Sequence, residues 1–211
     1  IMERVRKGKM LADGDPELMR EHGVPEWYID SCNKTKYMFP KAHAVAYVMM
    51  AFRIAWFKVH WPREFYAAYF SIRASDFDAS IVGMSMEDII ATRNAIEEKN
   101  DATSRERNLA TVLEAAQEGM MRGIRFLPVH VCHSDAARFV IEEEGLRPPL
   151  ITVPTLGDTA ASSVIEARRE RVFTSVHDLW SRTKLTRTHI DTLEEIGATA
   201  GLPESDQLSL F

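Results

Sequence analysis

Apolar positions along this chain recur mainly at helical spacing, and Pro or Gly repeatedly interrupts the pattern. Ile1 to Lys9 reads as the end of a basic helix. Asp13-Gly14-Asp15-Pro16 is a turn, with a helix starting at Glu17 behind the proline. Val24 to Cys32 begins another helix, and Phe39-Pro40 breaks the chain before a long one from about Lys41 to His60. Trp61-Pro62 punctuates that helix, and Arg63 to Ile72 makes a further apolar one. Residues 79–100 and 104–119 read as two long polar helices, the second stopped by Gly123. Residues 124–132 have β character and pair with Arg138 to Ile141 as a small hairpin. After Pro148-Pro149, three short helical stretches follow at about 159–170, 176–182 and 187–196, then a turn-rich tail open to solvent. The pattern therefore predicts a mainly α chain with a small β element. No internal repeat stands out beyond a weak similarity of the last helical hairpins.

Ala44 to Phe57 is almost unbroken in apolar residues. A bilayer needs about 20 such residues and Arg53 interrupts the run, so a buried helix is expected. The chain has 211 residues, 45% of them apolar and 27% charged, the balance of a soluble globular protein of one large domain or two small ones. Cys32 and Cys132 are far apart, which suits reduced thiols and a cytoplasmic setting. The first residues are charged and lack a signal-peptide core, and the chain opens inside a helix already under way, as a fragment would.

Net charge is -5, which at first argues against a nucleic-acid partner. Its distribution changes that. Residues 1–63 carry eleven Lys/Arg against seven Asp/Glu, and residues 151–190 carry six against four. The middle, 64–150, carries nine against fifteen, so two basic segments flank an acidic one and a local phosphate-binding face survives.

Lys41 and His43 follow the Pro40 turn at a helix N-terminus, where unpaired N–H groups favour an anion. Tyr47 lies one turn beyond His43 on the same face, and Arg53 must turn to solvent to avoid an unpaired buried charge. From the residues alone, a surface lysine and a core-edge histidine at a helix start is the favoured reading. The run Phe39-Pro-Lys-Ala-His-Ala-Val-Ala-Tyr47, with Ala51-Phe-Arg-Ile-Ala-Trp-Phe-Lys58, closely resembles the fingers region of the PolC-type DNA polymerase III alpha subunit. So do Arg6-Lys-Gly-Lys9, Val24-Pro-Glu-Trp-Tyr-Ile-Asp-Ser-Cys32 and Phe65-Tyr-Ala-Ala-Tyr-Phe70, and the resemblance covers essentially the whole chain. It implies that Lys41, His43, Tyr47 and Arg53 lie near the incoming dNTP or the primer terminus.

Val153-Pro154-Thr155-Leu156-Gly157-Asp158-Thr159 leads into a helix bearing Arg168 and Arg169, and looks like half of a tandem helix-hairpin-helix module. Such a hairpin offers backbone N–H groups to duplex phosphates without reading sequence. Thr155 stands where the family has glycine, which puts the hairpin geometry in doubt. The second half falls near Lys184 and Arg187. A capping turn in a small helical bundle remains the other reading, and Ser175 to Asp178 reads as a capping box.

His130, Cys132 and His133 on a strand would alternate faces, a poor metal geometry. The acidic pairs at Asp76/Asp78, Glu87/Asp88, Glu97/Glu98 and Glu142 to Glu144 read as solvated faces. The resemblance puts the catalytic Mg²⁺ carboxylates in a palm domain outside this sequence, so no cofactor is expected on this piece and no activity from it alone. Gln207-Leu208-Ser209-Leu210-Phe211, behind a polar linker, sets three large apolar groups at the end of the sequence and matches the sliding-clamp-binding pentapeptide of bacterial replication proteins.

The expected organisation is a fingers portion at 1–74, a helical connection at 75–123, a duplex-binding module at 124–200 and a clamp-binding tail at 201–211. The expected partners are primer–template duplex, incoming dNTP, the β sliding clamp and the rest of the polymerase chain. A stand-alone, non-enzymatic DNA adaptor that binds the clamp is the alternative.

Overall fold

The computed structural model describes residues 1–205. It divides into two compact units, residues 1–55 and residues from Trp56 onward.

The first unit holds α1 (Met2–Arg6), α2 (Asp15–Glu21), α3 (Glu26–Lys34) and most of α4 (Lys41–His60). Val5, Met19, Ile29 and Cys32 form its small core, flanked by Leu11, Val24 and Met38. Gly8 makes this packing possible. Its φ is +76°, and a Cβ there would stand 1.9 Å from the Lys36 carbonyl oxygen, so no other residue fits without moving backbone.

The sequence predicts that the apolar run in α4 is buried, and the structure corrects this. No residue of α4 is buried. Phe52 is 79% exposed and Val48 63%. Leaving some ten large apolar side chains half in water forgoes on the order of 10 kcal/mol of burial. By length and composition alone α4 could also cross a membrane, with a mean hydropathy of 1.2.

The second unit continues with α5 (Pro62–Ile72), a 3₁₀ turn (Ala79–Gly83), α6 (Met86–Glu97) and α7 (Ser104–Met121). Residues 79–100 are thus not one helix. The Asp78 carboxylate caps the 3₁₀ turn through the Ser80 N–H at 2.9 Å, and a reciprocal Ser85–Asp88 capping box restarts the helix. Tyr66, Phe70, Phe77, Ile89, Leu113, Phe139 and Leu146 share one core. It is built on edge-to-face rings, with Phe77 and Phe139 centroids 5.0 Å apart. Because α5 shares this core with α7 and with residues beyond 124, the boundaries expected at 74 and 123 are not boundaries of packing.

The small β element is real but paired differently from the expectation. β1 (Val140–Ile141) runs antiparallel to β2 (Leu146–Arg147), and Phe126 bridges to Leu146 from the other side. The backbone at Arg125 and Leu127 therefore pairs with Leu146, not with 138–141. Gly145 decides the arrangement: a Cβ there would meet the Arg125 carbonyl oxygen at 2.5 Å.

A second core follows. It joins the 3₁₀ turn Leu150–Thr152, α8 (Asp158–Glu170), α9 (Val176–Arg182) and α10 (Arg187–Glu195) through Val153, Leu156, Val164, Leu179, Leu185, Ile190 and Leu193.

Candidate nucleic-acid interface

The hairpin before α8 is a tight turn. The Leu156 N–H donates to the Val153 carbonyl at 3.1 Å, with Pro154 and Thr155 at its corners. Thr155 adopts φ +71°, the one non-glycine with positive φ among the described residues. A proline followed by a left-handed residue is the signature of a type II turn, whose third position favours glycine. Thr155 therefore keeps the turn at the cost of backbone strain. Gly157 caps α8 in an extended conformation (φ −87°, ψ 168°) with no side-chain cap, and a Cβ built on it would meet nothing within 4 Å. The first turn of α8 thus presents its N–H groups beside exposed Thr155, Gly157 and Thr159.

Leu156 was expected among the DNA-contacting residues, and the structure assigns it otherwise. Its side chain is 4% exposed in the core, and its N–H is spent on the turn. It anchors the hairpin. Arg168 is also engaged elsewhere: its guanidinium donates to the Val131 carbonyl at 2.9 Å. Burial pushes its pKa down, although Cys132 and Asp135 nearby oppose the shift. Ten residues along α8 put Arg168 about 15 Å from the hairpin, so it braces the module from within. Arg169 is exposed at that same far end.

The second hairpin joins α9 to α10 and repeats the first. Lys184-Leu185-Thr186-Arg187-Thr188 mirrors Thr155-Leu156-Gly157-Asp158-Thr159, each with a buried leucine just ahead of a helix start. The sequence carries only a weak trace of this, because two shared residue types in five are too few to see without the leucines' common burial. The Lys184 N–H donates to the buried Ser163 hydroxyl at 2.9 Å, which seats the second hairpin directly on α8. The Lys184 ammonium is exposed. Arg187 pairs with Asp191 at 2.9 Å and lies 5.8 Å from the Trp180 ring centroid. Here the helix is self-capped. The Thr186 N–H donates to His189 Nδ1, and the His189 N–H donates to the Thr186 hydroxyl. The two halves are therefore unequal, and the open N-terminus belongs to α8.

Around α9, Asp178 collects Arg171 at 2.8 Å, Arg182 at 2.9 Å and the Thr174 N–H at 3.2 Å. Burial pushes this carboxyl's pKa up, but Arg182, the Thr174 N–H and Arg171 together outweigh it and hold the value below the usual aspartate range. The expected Ser175–Asp178 box is thus half formed: Ser175 accepts from the Asp178 N–H, and the carboxylate turns to the arginines. At the other side of α9, the Val176 and His177 N–H groups donate to the carbonyls of Pro203 and Glu204. Residues 202–204 are therefore part of the folded module. The pentapeptide Gln207 to Phe211, expected to bind a clamp, lies outside the described residues.

In α4 of the first unit, Lys41 is exposed at the N-terminus and the Ala44 N–H donates to Pro40. His43 sits between two rings, 5.1 Å from Phe39 and 4.5 Å from Tyr47. Arg53 is not part of this group: twelve residues place it about 18 Å along the helix from Lys41.

His130, Cys132 and His133 lie in a turn, not on a strand, so the two histidine rings meet at 4.7 Å instead of pointing apart. His130 Nδ1 accepts from the Cys132 N–H and Nε2 donates to the Ala200 carbonyl, which fixes a neutral ring as a structural clasp. Burial lowers its pKa, against the Ala200 hydrogen bond. Among the described residues no group of three His, Cys, Asp or Glu side chains could hold a metal ion. The acids have local duties: Asp76 accepts from Asn108, Asp78 and Asp88 cap helices, and Glu142 binds Arg147. They do not fit the paired-Mg²⁺ geometry of nucleotidyl transfer. An open cleft of about 660 Å³ has the first hairpin, through Thr155 and Gly157, as one wall and Asp76, Asp78 and Glu106 with a single Arg105 as the other, so phosphate is disfavoured on that acidic side.

Residues 123–207 match the family model described as a helix-hairpin-helix motif. Across its whole length the chain is 51% identical to the DNA polymerase III PolC-type of Caldanaerobacter subterraneus subsp. tengcongensis. It is 49% identical to that of Clostridium perfringens and 47% to that of Thermotoga maritima. End to end, this chain is homologous to a part of PolC-type DNA polymerase III. It spans 15% of the length of these relatives.

Proposed function

We propose that the chain serves a PolC-type replicative polymerase in three ways: it closes over the incoming nucleotide, grips the primer–template duplex without reading its sequence, and tethers the enzyme to the sliding clamp. The observation that carries this reading is the pair of hairpins, each set by a buried leucine, one of them opening the uncapped N-terminus of α8. That is an arrangement for phosphate and not for bases. Lys184, Arg187, Thr155, Gly157 and Thr159 supply the exposed groups around it.

In the nucleotide-binding role, Lys41 offers a mobile ammonium and His43 a ring whose rotamer is held by Phe39 and Tyr47. The exposed apolar face of α4 is covered by the remaining length of the polymerase, which also supplies the Mg²⁺-binding carboxylates for template-directed nucleotidyl transfer. The setting is cytoplasmic, on replicating DNA. Gln207 to Phe211 enters a groove on the β clamp, with Leu208, Leu210 and Phe211 as anchors.

The test has three arms. The chain should bind blunt duplex weakly, without sequence preference and with a steep salt dependence; affinity that is flat from low to high salt sinks the hairpin role. Removing residues 207–211 should abolish clamp binding in a titration, and an unchanged isotherm refutes the tether. In the whole polymerase, Lys41→Ala and His43→Ala should raise KM for dNTP while clamp affinity stays constant. Unaltered kinetics in both variants would remove α4 from the nucleotide site.

A further inference from the structure

Beside the α4 group, with which it shares Phe39, the first unit carries a second surface. The turn after α1 and the loop before α4 lie back to back. The Met38 N–H donates to the Arg6 carbonyl at 3.3 Å, and Gly8 packs so closely on Lys36 that a Cβ would be 1.9 Å from its carbonyl oxygen. This contact brings the segment bearing Lys7 and Lys9 against the one bearing Lys34 and Lys36, far from it in sequence. All four are exposed, and none has an ion-pair partner among the described residues. The neighbouring arginines are already neutralised, Arg4 by Asp15 at 2.6 Å and Arg6 by Glu3 at 2.6 Å.

The same loop bears Tyr37 and Phe39, 59% and 50% exposed. Their centroids are 6.3 Å apart and their planes only 31° from parallel. Phe39 also packs on His43 at 5.1 Å, but a solvated lysine face would not account for Tyr37 standing open beside the ammoniums. Duplex DNA offers phosphates yet hides its base faces in the stack. A single strand offers both, phosphates to the cations and unpaired bases to the rings.

We infer that Lys7, Lys9, Lys34 and Lys36, with Tyr37 and Phe39, form a track for single-stranded DNA, the unpaired template strand of a polymerase substrate. The inference rests on the reading of the chain as part of a DNA polymerase. Gly8 is the residue that assembles the track, and the rings distinguish single strand from duplex.

The experiment measures binding of the 211-residue chain to a labelled oligothymidylate and to a blunt duplex across a salt series. Lys7→Gln with Lys36→Gln should lower the oligothymidylate salt slope by about 1.4. Tyr37→Leu and Phe39→Leu should each weaken oligothymidylate binding about tenfold and leave duplex binding unchanged. All four positions are on the surface, so thermal melting of the variants should match the parent. Oligothymidylate binding that ignores both ring substitutions overturns the track, even if the lysine variants weaken it, while retained duplex binding leaves the polymerase reading intact. A chain that binds neither DNA overturns both.

Discussion

Replacing Thr155 by glycine is expected to stabilise the second unit, although it removes a side chain. At φ +71° an L-residue with a Cβ sits close to a carbonyl oxygen, at a cost of about 1–2 kcal/mol, and a β-branched side chain is at the upper end. Glycine abolishes that cost and adds about 0.5–1 kcal/mol of chain entropy to be lost on folding. The net gain is about 1 kcal/mol. A cooperative unit of this size has an unfolding entropy near 0.3 kcal/mol/K, so the melting midpoint should rise by about 3 °C. Thr155→Ala keeps a Cβ in the same place and should move it by less than about 1 °C. Because the Leu156-to-Val153 hydrogen bond is already made at 3.1 Å, the turn itself should not change, and duplex affinity should rise by less than about threefold. Differential scanning calorimetry of the three proteins, with duplex titrations alongside, gives the answer. Equal midpoints for Gly and Ala, or a fall with Gly, would refute strain at this turn.

Asp178→Asn should cost about 2 kcal/mol, since it strips the shared partner from Arg182 and Arg171, the second of which is 62% exposed and so contributes less. Its folded pKa lies below the usual value near 4, so this carboxylate stabilises the fold fully above that pH and the contribution disappears as pH falls through the lower folded value. An acid titration of stability should accordingly flatten below pH 4 in Asp178→Asn relative to the parent, and parallel curves would count against the network. Gly8→Ala combines a positive-φ cost with a Cβ 1.9 Å from a carbonyl oxygen and should destabilise the first unit by about 3 kcal/mol. Limited proteolysis within residues 1–40 should accelerate, and parental resistance would show that the two turns are not in contact.

Most helix positions were legible from the sequence because proline, glycine and capping residues act locally. Pro16, Pro40, Pro62 and Gly123 fixed ends to within a residue or two. The shared face of His43 and Tyr47 followed from their i,i+4 spacing, and their rings lie 4.5 Å apart. Where two local signals competed, the sequence was ambiguous: residues 79–100 look continuous by hydropathy, yet Asp78 and Ser85 each capture N–H groups and split them.

The tertiary structure decided everything that depends on which residues meet. Pairing of residues 124–127 with 146 hangs on a glycine whose crowding no local pattern shows. The diversion of Arg168 to a carbonyl, and of Leu156 to the core, depends on neighbours dozens of residues away. The same holds for the two lysine-bearing turns joined at Gly8. The exposure of α4 is the sharpest case. Sequence alone determined that an apolar helix stands there, but burial belongs to pairs of surfaces, and none of its residues is buried.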